Sequence, residues 1–194
     1  MQRIFIIVAL GVLCVLAIAT NHSSAGSIVV NGGFETGDFT GWTLVGDPTN
    51  NFVDTGFPHS GRFAAALGET GDIGSLSQTL VTNVGASYSL SFWFAGDGNT
   101  PSEFTASIGG APLLDLVNPP ANGYNQYTYN FNATSTSSIL QFSFRDDVYF
   151  MNLDDVSVVP AVSGSVPEPM SLIPLGTGLV ALGSYMWYRR RAGS

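Results

Sequence analysis

From Tyr88 to Ala95 the chain alternates strictly, with Tyr88, Leu90, Phe92 and Phe94 on the even positions and Ser89, Ser91, Trp93 and Ala95 on the odd ones. A period of two with one apolar face places successive side chains on opposite sides of a pleated strand, packed on one side and wet on the other. The pattern recurs where Tyr127, Tyr129 and Phe131 alternate with Gln126, Thr128 and Asn130. It returns where Leu140, Phe142 and Phe144 alternate with Gln141, Ser143 and Arg145. Between Ser27 and Val159 the sequence reads as strands over residues 27–31, 42–45, 63–67, 76–81, 88–95, 103–108, 113–117, 126–131, 139–145 and 149–159, with Gly, Asn, Asp and Pro filling the gaps. No helical periodicity interrupts them. Strands of this kind bury their apolar faces against one another as a two-layer, all-β sandwich.

The two ends differ from this middle. Residues 1–25 read as a secretory signal peptide: Arg3 supplies the positive start, Ile4 to Ala19 the apolar run, and Ser23-Ser24-Ala25 a small-residue cleavage site, with Ala17-Ile18-Ala19 as a second candidate. The sandwich then occupies residues 26–159, followed by a short linker of turn and small residues over 160–165. Residues 170–188 carry no charged side chain and no His, and Tyr185, Trp187 and Tyr188 gather at their far end. At about 1.5 Å per residue such a run spans roughly 28 Å as a helix, enough to cross a bilayer once. Arg189, Arg190 and Arg191 follow at once and hold that end in the cytoplasm. Ahead of the run, Val166-Pro167-Glu168-Pro169 keeps the backbone extended and short of amide donors.

Motif, apolar span and basic cluster, in that order, resemble the PEP-CTERM sorting signal, here over residues 166–191. The resemblance implies processing by an exosortase, an intermediate held in the inner membrane by the C-terminal helix, and delivery to the cell surface or extracellular matrix. A permanently anchored surface module is the alternative.

Charge narrows the partners. Of the 14 acidic residues only Glu168 lies outside residues 26–165, and of the six basic ones only Arg62 and Arg145 lie inside, giving that region a net charge of −11. A lysine-free surface this acidic lacks the charges that neutralise phosphates, which excludes nucleic acid. The only cysteine, Cys14, falls in the first apolar run, so no disulfide staples the sandwich.

Three stretches sharpen the fold. Asn31-Gly32-Gly33-Phe34-Glu35 with Gly41-Trp42, then His59-Ser60-Gly61-Arg62-Phe63-Ala64, and finally Asn152-Leu153-Asp154-Asp155-Val156-Ser157-Val158 resemble the jelly roll of carbohydrate-binding modules, in the galactose-binding-domain-like group. In that family a structural Ca2+ is held between the first and last strands. Carried over, the resemblance implies Glu35, Asp154 and the backbone carbonyls of Gly33 and Arg62 as ligands, with Asp155 the second choice of carboxylate. Apolar parity also shifts between Leu153 and Val156, which predicts a bulge at the two aspartates.

A sugar needs an aromatic face beside hydrogen-bonding side chains. Trp93 points away from the apolar face of its strand, as do Gln126, Thr128, Gln141 and Arg145 from theirs. If these strands share one sheet they form a platform for an extracellular polysaccharide; otherwise Trp93 packs beneath a loop. Trp42 reads as a core residue. Catalysis has little support, since His59 stands alone in a turn and no nucleophile, base and orienting acid are spaced to meet. The expected function is therefore non-catalytic binding or scaffolding outside the cell, with a glycan-acting enzyme as the alternative.

Overall fold

The computed structural model describes residues 26 to 161 except Val148. The expected signal peptide, the linker beyond Ala161, the Val166 to Pro169 motif, the apolar run and the three arginines lie outside the described residues.

The described chain contains strands and turns but no helix. In order the strands are β1 (Thr43–Val45), β2 (Asn51–Asp54), β3 (Ala64–Leu67), β4 (Gly74–Val81), β5 (Ser87–Ala95), β6 (Ser102–Ile108), β7 (Ala111–Val117), β8 (Asn125–Asn132), β9 (Ser137–Asp146) and β10 (Met151–Pro160). They form two five-stranded antiparallel sheets, one ordered β1-β4-β9-β6-β7 and the other β2-β3-β10-β5-β8. The final strand thus sits at the centre of the second sheet, between β3 and β5.

The alternating segments face as their sequences require. Tyr88, Leu90, Phe92 and Phe94 of β5 turn inward, as do Leu140, Phe142 and Phe144 of β9, all of them buried. Across the core Phe104 of β6 stacks on Phe94 at 3.9 Å, and Phe142 meets Phe92 edge to face at 5.0 Å. Burying one such ring is worth about 2–3 kcal/mol relative to leaving it exposed, and aromatic pairing adds up to about 1.5 kcal/mol. Tyr127, Tyr129 and Phe131 are only half-buried because β8 is an edge strand.

Residues 27–31, expected as a strand, instead form a strap bonded to both sheets. Ile28 N–H donates to Val158 O and Val156 N–H to Gly32 O, so the strap borders β10. Between those bonds the side chain of Gln78, on β4 of the other sheet, takes the place of a neighbouring strand. Its Oε1 accepts from Val30 N–H at 2.8 Å and its Nε2 donates to Val30 O at 2.9 Å. Gly32 is required here: a Cβ on it would fall 1.9 Å from Val156 O. The turn that follows holds Asn31 and Phe34 at positive φ of 52° and 55°, and it drives Phe34 fully into the core against Phe39 and Trp42. Trp42 is buried, and its indole N–H donates to Asn31 O.

Strand β2 lies where the sequence reads as loop, because four residues flanked by Asn, Thr and Gly carry too short an alternation to show. Pro160, placed by sequence in the linker, is the last residue of β10 and pairs with Tyr88.

Replacing Gln78 by Ala leaves the Val30 amide and carbonyl without their partners. The expected loss is about 1–3 kcal/mol in urea unfolding, with Gln78→Glu, which keeps the acceptor only, falling between the two.

Candidate functional site

The predicted bulge is present in β10. Pairing with β5 runs regularly to Asp154 opposite Trp93 and resumes at Ser157 opposite Ser91, with Asp155 at a positive φ of 49°. The extra residue returns Val156 and Val158 to the core while leaving Asp154 on the outer face, where the segment 57–61 covers it completely.

Under that cover Asp154 Oδ2 accepts from His59 N–H at 2.8 Å and Ser60 N–H at 3.2 Å, and its Oδ1 accepts from Asp155 N–H at 2.7 Å. Asp155 Oδ1 accepts from the Ser60 hydroxyl at 2.8 Å, and its Oδ2 lies 2.6 Å from His59 Nδ1. Burial is the main force pushing the Asp154 carboxyl above the usual carboxylate range; the neighbouring Asp155 charge adds to it, and the three N–H donors oppose both.

Of the residues expected around a calcium ion, Glu35, Gly33 and Asp154 lie near one another, and Arg62 meets Glu35 through its backbone N–H. Glu35 Oε1 accepts from Arg62 N–H at 2.8 Å and Phe63 N–H at 3.1 Å. A Cβ built on Gly33 would stand 3.5 Å from Asp155 Oδ1, 3.7 Å from Glu35 Cγ and 3.9 Å from Asp154 Oδ1, so Gly33 opens directly onto the acidic groups. Gly61 has φ +62°, and its absent Cβ makes room for the Glu35 carboxylate. Among the described residues no group of three His, Cys, Asp or Glu side chains is gathered as a metal set. The side-chain donors in place are the carboxylates of Glu35 and Asp154, hard oxygen groups of the kind calcium accepts.

The expected sugar platform does not form as one surface. Trp93, Gln126 and Thr128 lie on β5 and β8 of the second sheet, whereas Gln141 and Arg145 lie on β9 of the first. The two groups therefore face opposite sides of the molecule. His59 stacks on Trp93 at a centroid distance of 3.8 Å and 16° between planes, so this face of the indole is taken. Arg145 grips Asp147 in two bonds of 2.7 and 2.6 Å, which hold the Asp147 carboxyl down at about 2.

A groove does lie on the outer face of the second sheet, beside the acidic pair. Phe52, Ala66, Asn152 and Ala95 stand in register across β2, β3, β10 and β5, and form its floor with small side chains at the middle strands. Above that row is a cavity of about 540 Å³. Phe150 meets Phe52 at 5.1 Å and Tyr149 at 5.3 Å on its rim. Phe57, stacked on Tyr124 at 5.3 Å and fixed by the Tyr124 hydroxyl bonded to Phe57 O at 2.7 Å, supplies a second aromatic wall. Phe57 and Tyr149 are 50% and 64% exposed, so both rings present open surface to a ligand. Asp54, Asp97 and Asn152 contribute the charged and amide groups of the lining. Sequence reasoning missed this site because its floor depends on β2 joining β3; the adjacent Tyr149-Phe150 pair, lying in a turn ahead of the last strand, was its only local trace.

A two-sheet sandwich with an aromatic-walled groove on one outer face defines a ligand-binding module. Residues 26–147 match the family model described as carbohydrate binding domain, CBM_4_9, and the chain belongs to that family. No curated protein matches the chain. Among solved structures, TmCBM61 in complex with β-1,4-galactotriose is similar at 20% identity and a TM-score of 0.59, covering 70% of this chain and 99% of its own. The CBM22-1 xylan-binding domain from Paenibacillus barcinonensis Xyn10C is similar at 15% identity and a TM-score of 0.54, covering 71% of this chain and 97% of its own. The enzymatically active domain of tailspike protein 4 from bacteriophage CBA120 has a TM-score of 0.55 at 18% identity, covering 70% of this chain but only 21% of its own. These likenesses place the fold: a carbohydrate-binding-module type of jelly roll.

Because the Asp154 carboxyl is raised in the folded state, the native protein binds that proton more readily than the unfolded chain does, so this group's contribution to stability falls as pH rises through its folded pKa. In EDTA, the Asp154 contribution to the urea midpoint is expected to grow as pH drops from neutrality toward the unfolded value of 3.8, against the opposite trend of Asp38, Asp47 and Asp147, whose carboxyls are held down. Asp154→Asn, which cannot titrate, removes that component of the pH profile.

Proposed function

We propose that the chain is an exported, non-catalytic glycan-binding protein that holds an extracellular polysaccharide in the groove over β2, β3, β10 and β5. One observation carries the reading. Exposed rings, Phe57 and Tyr149, rise beside a floor of Ala66, Asn152 and Ala95, so sugar C–H faces find aromatic surface while hydroxyls reach Asp54, Asp97 and Asn152. Membership of a carbohydrate binding domain family supports it.

Calcium is proposed as a structural ion. Glu35 and Asp154, with the carbonyls of Gly33 and Arg62, would hold it, with Asp155 the second choice of carboxylate. The ion supplies no chemistry beyond compensating charge and tying the segment 57–61, and with it the Phe57 wall, to β10. Such an ion relieves the charge cost at Asp154 and so reverses the pH response expected in EDTA.

Sorting completes the proposal. The N-terminal segment directs export, and the exosortase-type tail at 166–191 parks the protein in the inner membrane until cleavage near Val166 to Pro169 releases it to the surface or matrix. Its support is the order and spacing of motif, apolar span and arginine cluster.

Tyr149→Ala and Phe57→Ala are expected to lower affinity for a bound polysaccharide by roughly tenfold or more each, with melting temperature little changed, in affinity gel electrophoresis. Unchanged affinity in both variants would place the binding site elsewhere than the groove, and release of reducing ends from the glycan would replace binding by hydrolysis. Intact-mass analysis of the extracellular fraction is expected to find both ends trimmed; a full-length tail on the surface protein would point instead to a permanent anchor.

A further inference from the structure

We infer that the groove prefers a glycan carrying free, protonated amines, a polymer of amino sugars, over uncharged or acidic ones. The inference rests on the reading that this groove binds glycans and names their class.

The lining contains two carboxylates and no cationic side chain. Asp54 ends β2 and Asp97 follows β5, with β3 and β10 between them, so the acids come from strands about 14 Å apart by three interstrand steps. Each is oriented by its own turn rather than by a counter-charge. Asp54 Oδ1 accepts from Gly56 N–H at 3.0 Å, and Asp97 Oδ1 accepts from Asn99 N–H at 2.8 Å. The ion pairs among the described residues, His59 with Asp155 and Arg145 with Asp147, involve neither.

A ligand entering between Phe57 and Tyr149 therefore meets carboxylate acceptors, aromatic faces on the walls, and side-chain donors from Asn152 and the Tyr149 hydroxyl. An ammonium on a stacked sugar gains both carboxylate attraction and a cation–π contribution from the rings. A uronate or sulfated sugar meets repulsion that nothing in the lining offsets.

The test uses the purified full chain in detergent and titration calorimetry at mildly acid pH, where sugar amines are protonated. The probes are glucosamine oligomers, their N-acetylated counterparts and galacturonate oligomers of equal length. Glucosamine oligomers are expected to bind tightest, with Asp54→Asn and Asp97→Asn each reducing their affinity roughly threefold to tenfold while leaving the N-acetylated series within about twofold. Asp72→Asn and Asp115→Asn, exposed on other parts of the surface, should change nothing. Equal or tighter binding of the N-acetylated oligomers, or any preference for galacturonate, overturns the inference while the groove reading stands. A glucosamine preference that survives both groove variants also overturns it, since attraction would then come from overall charge. If none of the three series binds, the inference is overturned, while the groove reading is decided by the Tyr149→Ala and Phe57→Ala variants on bound polysaccharide.

Discussion

Everything on the functional side of this molecule depends on the one-residue bulge in β10. A regular strand through Leu153, Asp154, Asp155 and Val156 would turn Asp155 into the core and Val156 out to solvent. The bulge keeps Leu153, Val156 and Val158 buried while both carboxylates remain on the outer side. The interrupted ladder is offset by hydrogen bonds that the two acids accept from His59, Ser60 and the Asp155 amide, each of the stronger, charge-assisted kind. One inserted residue thereby joins the central strand to the 57–61 segment on one side and to Gly32 and Gly33 of the strap on the other.

The groove is the second consequence. Holding residues 57–61 down over Asp154 places His59 on the Trp93 ring and sets Phe57 beside the cavity. The same contact that denies Trp93 to a ligand thus builds a wall from a residue with no strand of its own. Small residues complete the shape: Ala66 and Ala95 lower the floor where larger side chains would fill it, and Asn152 stands between them as the polar group.

Charge then acts on a surface already shaped. With so few basic groups in the described region, Arg145 is committed to Asp147 and Arg62 lies over the Phe63 ring at 5.2 Å. The groove's own carboxylates are left as its dominant charges. Fixed acceptors in a hollow act more strongly than the same charges in bulk water, which is how two of them would bias what the proposed groove admits.

Local alternation makes the long strands legible in the sequence: β5, β8 and β9 face as their period-two patterns require, and the parity break at Asp154-Asp155 marks the bulge. The glycines and aromatics of residues 31–42 are likewise readable, because a tight turn and a buried Phe34 leave a chemical signature in their own neighbourhood. Partition into sheets is not readable. Whether β8 and β9 lie side by side is decided by pairing across long separations, and that pairing sends Gln126 and Gln141 to opposite faces. Nor is the groove, since Phe52, Phe57, Ala66, Ala95, Tyr149 and Asn152 meet only when β2 docks on β3 and the last strand enters the middle of the sheet. The sequence by itself determined which side of each long strand is apolar, because that is a property of neighbouring residues. Tertiary structure alone decided which outer face became a groove, because concavity arises only when distant strands share one surface.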